Sequence, residues 1–302
     1  MATDALLASL PMDNARMQYK YYKALEKKMK KWYIYLRLRA YLKELGRKRF
    51  MCNNQSNTVR CWDQTITELH QLGLEHTNIP IRISFAYLFR IRIGEKFMLV
   101  QSERTPNVYK PIGGAYRYFP GEIKYLVEHY NVQNDYGDVP DLLQPGDYRL
   151  LVPSIHLPSF LQRFDVTKKR ESISDLSREF VEELINTNIL SFSTIKYRYC
   201  GRHISKICFS TLYQRYDLFL ADIVELLPDH EQHSMLMQCY NLFSPRFLFV
   251  TSNEIKNLRL MSNDLHEDIV IAEHSYKFLP ENEHFLFSRA SGSDVYEVTL
   301  KI

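Results

Sequence analysis

The chain has 302 residues, of which 45% are apolar and 25% charged, and its formal net charge at pH 7 is +4, a composition typical of a globular protein with a well-buried core. Its five cysteines are odd in number and show no CxxC spacing, which argues against a disulfide framework or zinc ribbon and predicts free thiols in a reducing cytoplasm. No apolar segment approaches the ~20 residues that cross a bilayer, and the first residues lack the basic stretch of a secretory signal, so neither is expected.

The charge is divided unevenly between an N-terminal segment and the rest of the chain. Residues 16–49 contain 13 Lys/Arg and 2 Glu, a net charge of +11, whereas the other 268 residues carry −7. Apolar residues in this segment recur at steps of three and four, which predicts one long amphipathic helix over about residues 13–45. Its apolar stripe consists of Tyr22, Leu25, Met29, Trp32 and Leu36.

A basic amphipathic helix of this kind has several candidate partners. It could pack on the main body of the protein, or bind a partner protein, a nucleic acid or an anionic membrane surface. The sequence leaves these alternatives open, with nucleic acid less favoured than a protein. A second helix is predicted within residues 51–75, ending at Gly73, and His76–Pro80 reads as a connector. We therefore expect residues 1–78 to form a basic helical N-terminal region.

Beyond Pro80 the apolar pattern changes to the alternation of half-buried strands. One of these strands contains a glycine pair, Gly113 and Gly114, which permits positive φ and a close approach of the backbone to a ligand. The same pair could equally serve only a turn. The strands predicted in this part are residues 81–85, 89–93, 97–101, 109–115 and 148–152.

The most informative segment is Arg178–Leu184, for which Ser174 is a candidate N-cap. At about 100° per residue, Glu179, Glu182 and Glu183 share one narrow side of a helix, opposite its apolar side chains. Like charges at this spacing repel by roughly 0.2–0.5 kcal/mol per pair, and a divalent cation such as Mg²⁺ removes the repulsion because it binds carboxylate oxygens. The segment is therefore a candidate Mg²⁺ site, the alternative being a solvated acidic face.

The remainder of the chain continues the mixed pattern. An apolar run at 269–272 indicates the start of a helix, and residues 285–287 with 295–302 around Gly292 indicate a C-terminal hairpin. We expect an α/β domain over residues 79–280 and a hairpin extension over 281–302. The strands predicted here are residues 191–199, 207–213, 216–224 and 246–251.

The glycine pair and the later Arg-Glu-Phe-x-Glu-Glu-Leu helix together resemble the Nudix family, whose box is Gly-x5-Glu-x7-Arg-Glu-(apolar)-x-Glu-Glu-x-Gly-(apolar). Gly113 and Gly114 look like the strand that enters this box. The resemblance implies an α/β/α sandwich on a mixed sheet, glutamates that hold Mg²⁺ or Mn²⁺ against a substrate diphosphate, and an arginine that orients the first glutamate. The positions that match the helical core of the box are Arg178, Glu179, Phe180, Glu182 and Glu183.

A narrower resemblance is to SMODS-associated NUDIX domains, over roughly residues 85–280. It is carried by Lys-Pro-Ile-Gly-Gly-Ala-Tyr-Arg-Tyr at 110–118, Phe-Asp at 164–165, Arg-Glu-Ser at 170–172 and Ile-Ala-Glu-His-Ser-Tyr at 271–276. These domains accompany bacterial nucleotidyltransferases in anti-phage signalling. The resemblance therefore implies a nucleotide-type ligand and a nucleotidyltransferase system as partner.

The chain departs from the Nudix box in three places. Some 63 residues separate Gly114 from Arg178, where an ordinary box is compact, so the chain has a long insertion here. Glu171 precedes Arg178 by one residue too few, and Ile185 with Asn186 replaces the closing glycine. Three hypotheses stay open. One is Mg²⁺-dependent hydrolysis of a nucleoside-diphosphate-linked substrate, with a general base to be found among Glu171, Glu225 and Glu254. The second is nucleotide sensing without hydrolysis. The third and weakest is binding of a nucleic acid or a partner through the basic segment of net charge +11.

Overall fold

The computed structural model describes residues 62–211, 214–260, 269–286 and 295–301. The basic helix predicted over residues 13–45 lies outside these ranges. Of the helices that they contain, none combines the length and apolar character needed to cross a bilayer. The three cysteines in these ranges, Cys200, Cys208 and Cys239, are not in disulfide bonds.

The described residues form a mixture of helices and strands. The helices are α1 (Asp63–Gln71), α2 (Pro120–Tyr130), α3 (Leu157–Val166), α4 (Arg178–Phe180), α5 (His230–Tyr240) and α6 (Ser252–Asn257). The strands are β1 (Pro80–Arg90), β2 (Arg92–Ile93), β3 (Lys96–Gln101), β4 (Val108–Lys110), β5 (Ile112–Ala115), β6 (Arg117–Tyr118), β7 (Gln133–Asn134), β8 (Gly146–Asp147), β9 (Arg149–Pro153), β10 (Thr194–Ile204), β11 (Cys208–Ser210), β12 (Arg215–Leu226), β13 (Phe247–Thr251), β14 (Val270–Ile271) and β15 (Val295–Thr299). Short 3₁₀ helices cover Ser154–His156, Glu273–Phe278 and Pro280–Phe285, and a π-helical turn, Val181–Ile185, continues α4.

The larger sheet has the strand order β15-β10-β12-β1-β9-β7, with β11 also paired to β12 and β5 to β1. Its centre is the parallel pair of β1 and β12, in register from Ile81 opposite Tyr216 to Arg90 opposite Glu225, and the neighbouring pairs are antiparallel. A second sheet has the order β13-β3-β4-β14, with β2 on β3. The predicted α/β class with a mixed sheet is confirmed.

Alternation along β1 places two cores on opposite faces of the larger sheet. Ile83, Phe85, Tyr87 and Phe89 are fully buried on one face, whereas Leu88 points to the second core on the other. Removing each of these side chains from water contributes roughly 1.5–3 kcal/mol. Helices supply the other half of the first core through Ile123, Phe160, Phe180 and Leu236.

The helix predicted to end at Gly73 is present as α1 and packs into the first core. Leu69 is fully buried there, and the Trp62 ring stacks on Phe85 with centroids 5.9 Å apart. The Trp62 Nε1 group donates a 2.6 Å hydrogen bond to Asp165 Oδ2. The segment 62–71 therefore shares its core with the sheet, and the domain boundary at residue 78 stays a prediction.

One prediction for the C-terminal part is wrong. The run at 269–272 does not begin a helix, because Val270 and Ile271 pair with β4 and the Ala272 amide donates to the Tyr109 carbonyl at 2.8 Å. The predicted C-terminal hairpin depends on residue 287 and on the turn around Gly292, which lie outside the described ranges, and it stays a prediction. The final strand, β15, pairs antiparallel with β10 and extends the larger sheet at its edge.

Candidate functional site

The glycine pair lies in β5, which pairs antiparallel with β1 so that Gly113 is opposite Leu88 and Gly114 opposite Tyr87. Gly113 has φ of +140°, and a side chain there would overlap the carbonyl oxygen of Tyr87. A side chain at Gly114 would overlap the carboxylate of Glu179. The strand backbone therefore requires a glycine at 113, and Gly114 leaves the space in which the Glu179 carboxylate lies.

The helix that carries the glutamates begins later than predicted, because Ser177 and not Ser174 is its N-cap residue. Ser172–Asp175 forms a turn closed by the Asp175 amide on the Ser172 carbonyl at 3.0 Å. The Leu176 amide donates to the Tyr197 hydroxyl at 2.8 Å, so a tertiary bond satisfies an N–H group that would lack an intrahelical partner in a helix capped by Ser174.

The second half of this helix is a π-helical turn. The Asn186 amide donates to the Val181 carbonyl at 2.9 Å, an i to i+5 bond, so the carboxylates do not follow regular α-helical angles. The predicted apolar side is nevertheless correct, since Phe180 and Leu184 are fully buried. The packed side holds the helix in the first core, and the Glu179 and Glu183 carboxylates lie against strand β5.

Arg178 gathers three of the glutamates. Its Nε donates to Glu171 Oε1 at 2.7 Å, and its Nη1 donates to Glu179 Oε1 at 2.5 Å and to Glu182 Oε2 at 3.2 Å. Its Nη2 donates to the Ala115 carbonyl at the end of β5 at 2.8 Å. One guanidinium therefore fixes the carboxylates relative to each other and to the glycine strand.

Glu171 joins this network despite its shortened spacing from Arg178. The Arg117 amide donates to Glu171 Oε2 at 2.7 Å, and the Glu171 amide donates back to the Arg117 carbonyl at 2.9 Å. These bonds hold Glu171, near the end of the 63 residues between Gly114 and Arg178, beside Arg117, which lies shortly after β5. The backbone pairing therefore compensates for the missing residue between Glu171 and Arg178.

Glu183 is anchored from the other side, by the strand and by a lysine. Its Oε2 accepts a 2.9 Å hydrogen bond from the Gly113 amide, and its Oε1 forms an ion pair with Lys110. The Lys110 ammonium also lies 3.3 Å from the Gly113 carbonyl. Burial raises the pKa of Glu183 above its ordinary value, with Lys110 opposing the shift. Burial likewise raises the pKa of Glu179, with Arg178 opposing it.

The site carries more negative than positive charge. Among the residues that the structure describes, four carboxylates, those of Glu171 and the three helix glutamates, form ion pairs with two cations, Arg178 and Lys110. A surplus of two negative charges on hard oxygen donors fits a divalent cation such as Mg²⁺ or Mn²⁺ in charge and chemistry. Among the described residues, however, no three His, Cys, Asp or Glu side chains are grouped so as to hold a metal ion. Lys110 and Arg178 engage these carboxylates instead.

The other candidate general bases have structural roles. Glu225 is buried and forms ion pairs with Arg92 at 3.0 Å and with Arg198. Glu254 caps helix α6, where its Oε2 accepts a 2.7 Å hydrogen bond from the Thr251 amide. Of the three candidates, only Glu171 belongs to the Arg178 network.

Sequence reasoning missed the role of Lys110. The residue stands in the Lys-Pro-Ile-Gly-Gly segment, three residues before Gly113, but nothing in the pattern indicates that its ammonium turns back to a glutamate 73 residues later. The pairing of β3 with β4 and the turn into β5 produce this contact.

A family model described as the SMODS-associated NUDIX domain matches residues 80–279. No curated protein and no solved structure gives a significant match to the chain. The matched range is roughly two thirds of the chain and contains every residue of the network described above, from Lys110 to Glu183.

Proposed function

The chain belongs to the SMODS-associated NUDIX domain family, and on this basis we propose that its carboxylate site binds Mg²⁺ or Mn²⁺ and the diphosphate of a nucleotide ligand. Glu179, Glu182 and Glu183 would hold the metal, which when bound supplies Lewis-acid stabilisation of phosphate oxygens and activation of water. The observation that carries the proposal is the single guanidinium of Arg178 that orients three glutamates beside the glycine strand.

The protein groups divide the remaining tasks. Gly113 and Gly114 let the backbone approach the helix, and the Gly113 amide holds Glu183 at 2.9 Å. Glu171 has one oxygen on Arg178 Nε and the other on the Arg117 amide, so its role is to position Arg178. Glu182 is 48% exposed and has only a 3.2 Å contact to Arg178. Of the three glutamates proposed to hold the metal, Glu182 is therefore the one most open to an incoming ligand.

Sensing without hydrolysis is the second candidate function. Two observations favour it: Lys110 already pairs with Glu183, and the buried Ile185 replaces the closing part of the Nudix box. In this case the site would bind an intact nucleotide signal. The partner we propose, in either case, is a bacterial nucleotidyltransferase system of anti-phage defence whose product reaches this site.

The experiment that separates the two functions uses the full chain with Mg²⁺ or Mn²⁺. Nucleoside diphosphate derivatives and cyclic oligonucleotides are incubated with it and analysed by chromatography, and binding is measured in parallel by calorimetry. Turnover that Glu182→Gln abolishes supports hydrolysis, whereas binding with intact ligand supports sensing. Glu128→Gln, on the exposed surface of α2, is the matched control and should change neither. Absence of both metal binding and nucleotide binding would overturn the proposal.

A further inference from the structure

The second face of the larger sheet carries a group of aromatic and basic side chains beside the 3₁₀ helix Glu273–Phe278. The Lys277 ammonium lies 5.4 Å from the centre of the Phe219 ring, and the Tyr276 ring lies 6.0 Å from the His203 ring. Phe219, His203, Tyr276 and Lys277 are all partly exposed. The group therefore borders solvent and is not sealed inside the second core.

This group is tied to the carboxylate site through the backbone. Strand β14 pairs with β4, and the Ala272 amide donates to the Tyr109 carbonyl at 2.8 Å. The 3₁₀ helix therefore starts next to the strand end that carries Lys110. Burial, together with the charges of Lys277 and Lys110, lowers the pKa of His274 in this helix to about 4, so His274 lies within electrostatic range of both groups.

The positive charge of Lys277 has no paired anion. Within the described ranges, its ammonium makes neither an ion pair nor a hydrogen bond, whereas the other cation against Phe219, Arg82, is paired with Asp135 at 2.7 Å. Burial lowers the pKa of Lys277 to about 8, with Glu273 opposing the shift. Burial and the nearby Lys277 lower the pKa of His203 to about 4.

His203 adds an unsatisfied polar atom to the same group. Its Nδ1 is buried and has no hydrogen-bond partner in the described part of the chain. A desolvated cation and an unpaired ring nitrogen are both unfavourable unless a ligand supplies the missing partners.

We propose that Lys277, His203, Tyr276 and Phe219 form a subsite for the part of a nucleotide that extends beyond the diphosphate held at the carboxylates. Lys277 pairs with a phosphate oxygen, His203 Nδ1 makes a hydrogen bond to the ligand, and the rings of Phe219 and Tyr276 contact the base. The inference rests on the proposed function, since it assigns a second contact region to the same nucleotide.

The test uses inorganic pyrophosphate and ADP as probes, with the full chain in EDTA so that no divalent metal contributes. Calorimetry should show binding of both probes, with Lys277→Met weakening each about tenfold and Phe219→Leu weakening only ADP. The matched control, Lys124→Met on the exposed face of α2, should bind as the wild type does.

Two outcomes would overturn the inference. One is that the wild-type chain binds neither pyrophosphate nor ADP in EDTA, and the other is that Lys277→Met binds both probes as tightly as the wild type does. Either would leave the proposed function standing if metal-dependent nucleotide binding persisted. Conversely, Lys277-dependent binding in EDTA without any metal binding would support the subsite and contradict the metal site.

A second measurement needs no variant. Pyridoxal phosphate followed by borohydride labels unprotonated amines, and its phosphate and ring resemble the inferred ligand. Mass spectrometry should find Lys277 labelled faster than Lys124 at neutral pH, with ADP slowing the labelling of Lys277 alone. Equal labelling rates without protection by ADP would contradict the subsite.

Discussion

The geometry of the carboxylate site depends on two single residues, Gly114 and Lys110. Gly114 matters because it has no side chain, and Lys110 matters because its ammonium points back to Glu183. Gly114 leaves room for the Glu179 carboxylate, and Lys110 neutralises the Glu183 carboxylate. Both effects act on the glutamates directly, so both can be tested through metal affinity.

Replacing Gly114 with alanine should weaken Mn²⁺ binding by about tenfold or more. The new Cβ would overlap the Glu179 carboxylate and separate it from Arg178, since both the strand backbone and the helix are packed. Calorimetry with Mn²⁺ measures this effect. Gly121→Ala is the control, because its Cβ would meet only the flexible end of Lys169. Unchanged Mn²⁺ affinity in Gly114→Ala would show that Glu179 is not a metal ligand.

Replacing Lys110 with methionine should have the opposite effect on metal affinity. Without the ammonium, a metal no longer competes with an internal cation for Glu183, and we expect Mn²⁺ binding to tighten about tenfold. The metal-free variant should lose about 1 kcal/mol of stability, a modest value because both partners are partly exposed. Thermal unfolding with and without Mn²⁺ measures both effects, with Lys124→Met as control. Weaker Mn²⁺ binding in Lys110→Met would contradict this role.

At the scale of elements, periodicity predicted the strands of the larger sheet well, because half-buried strands carry their own alternating signal. Residues 81–85 and 89–93 were predicted as separate strands, yet β1 runs unbroken from Pro80 to Arg90. Its last four residues are all buried, so the alternation of buried and exposed positions stops there, although the strand continues. Local sequence therefore located this strand but not its length.

The glutamate helix shows why the details of the candidate site could not be predicted from the sequence. Its late start depends on the Tyr197 hydroxyl, which accepts from the Leu176 amide at 2.8 Å and donates to the Ile173 carbonyl at 3.1 Å. The Glu171 contact depends on backbone pairing with Arg117, across the whole insertion. These are tertiary contacts between distant parts of the chain, and no local pattern encodes them.

Tyr197→Phe tests the tertiary control of this helix. The substitution keeps the buried ring but leaves the Leu176 amide and the Ile173 carbonyl without their partner, which should lower the free energy of unfolding by about 1–3 kcal/mol. Urea denaturation measures the change. Tyr296→Phe is a matched control because that ring lies 5.8 Å from Tyr197 but makes neither bond. Equal stability of the two variants would mean that the hydroxyl does not fix the start of the helix.

At the scale of the whole molecule, a buried ionic network joins the inserted segment to the sheet. Arg202 on β10 forms two hydrogen bonds to Asp222 on β12, at 2.9 and 3.0 Å, and its Nη1 donates to Asp165 on α3 at 2.7 Å. The other Asp165 oxygen accepts from Trp62, and the Tyr116 hydroxyl donates to Asp222 at 2.7 Å. The insertion is therefore an integral part of the core.

Asp222→Asn tests how much this ionic network contributes to the free energy of unfolding. Arg202 and Asp222 are 2% and 1% exposed, so the variant leaves a buried guanidinium facing a neutral amide with one fewer acceptor oxygen. Removing one partner of such a buried pair costs about 3–5 kcal/mol, although Asp165 still offers Arg202 one carboxylate. We therefore expect the free energy of unfolding in urea to fall by about 3 kcal/mol. Glu128→Gln, which breaks an exposed pair with Lys124, should change it by less than about 0.5 kcal/mol. If the two variants were equally stable, the ionic network would not hold the insertion to the sheet, and the contacts of Phe160 and Phe164 with Phe85 and the pairing of β9 with β1 would account for the connection.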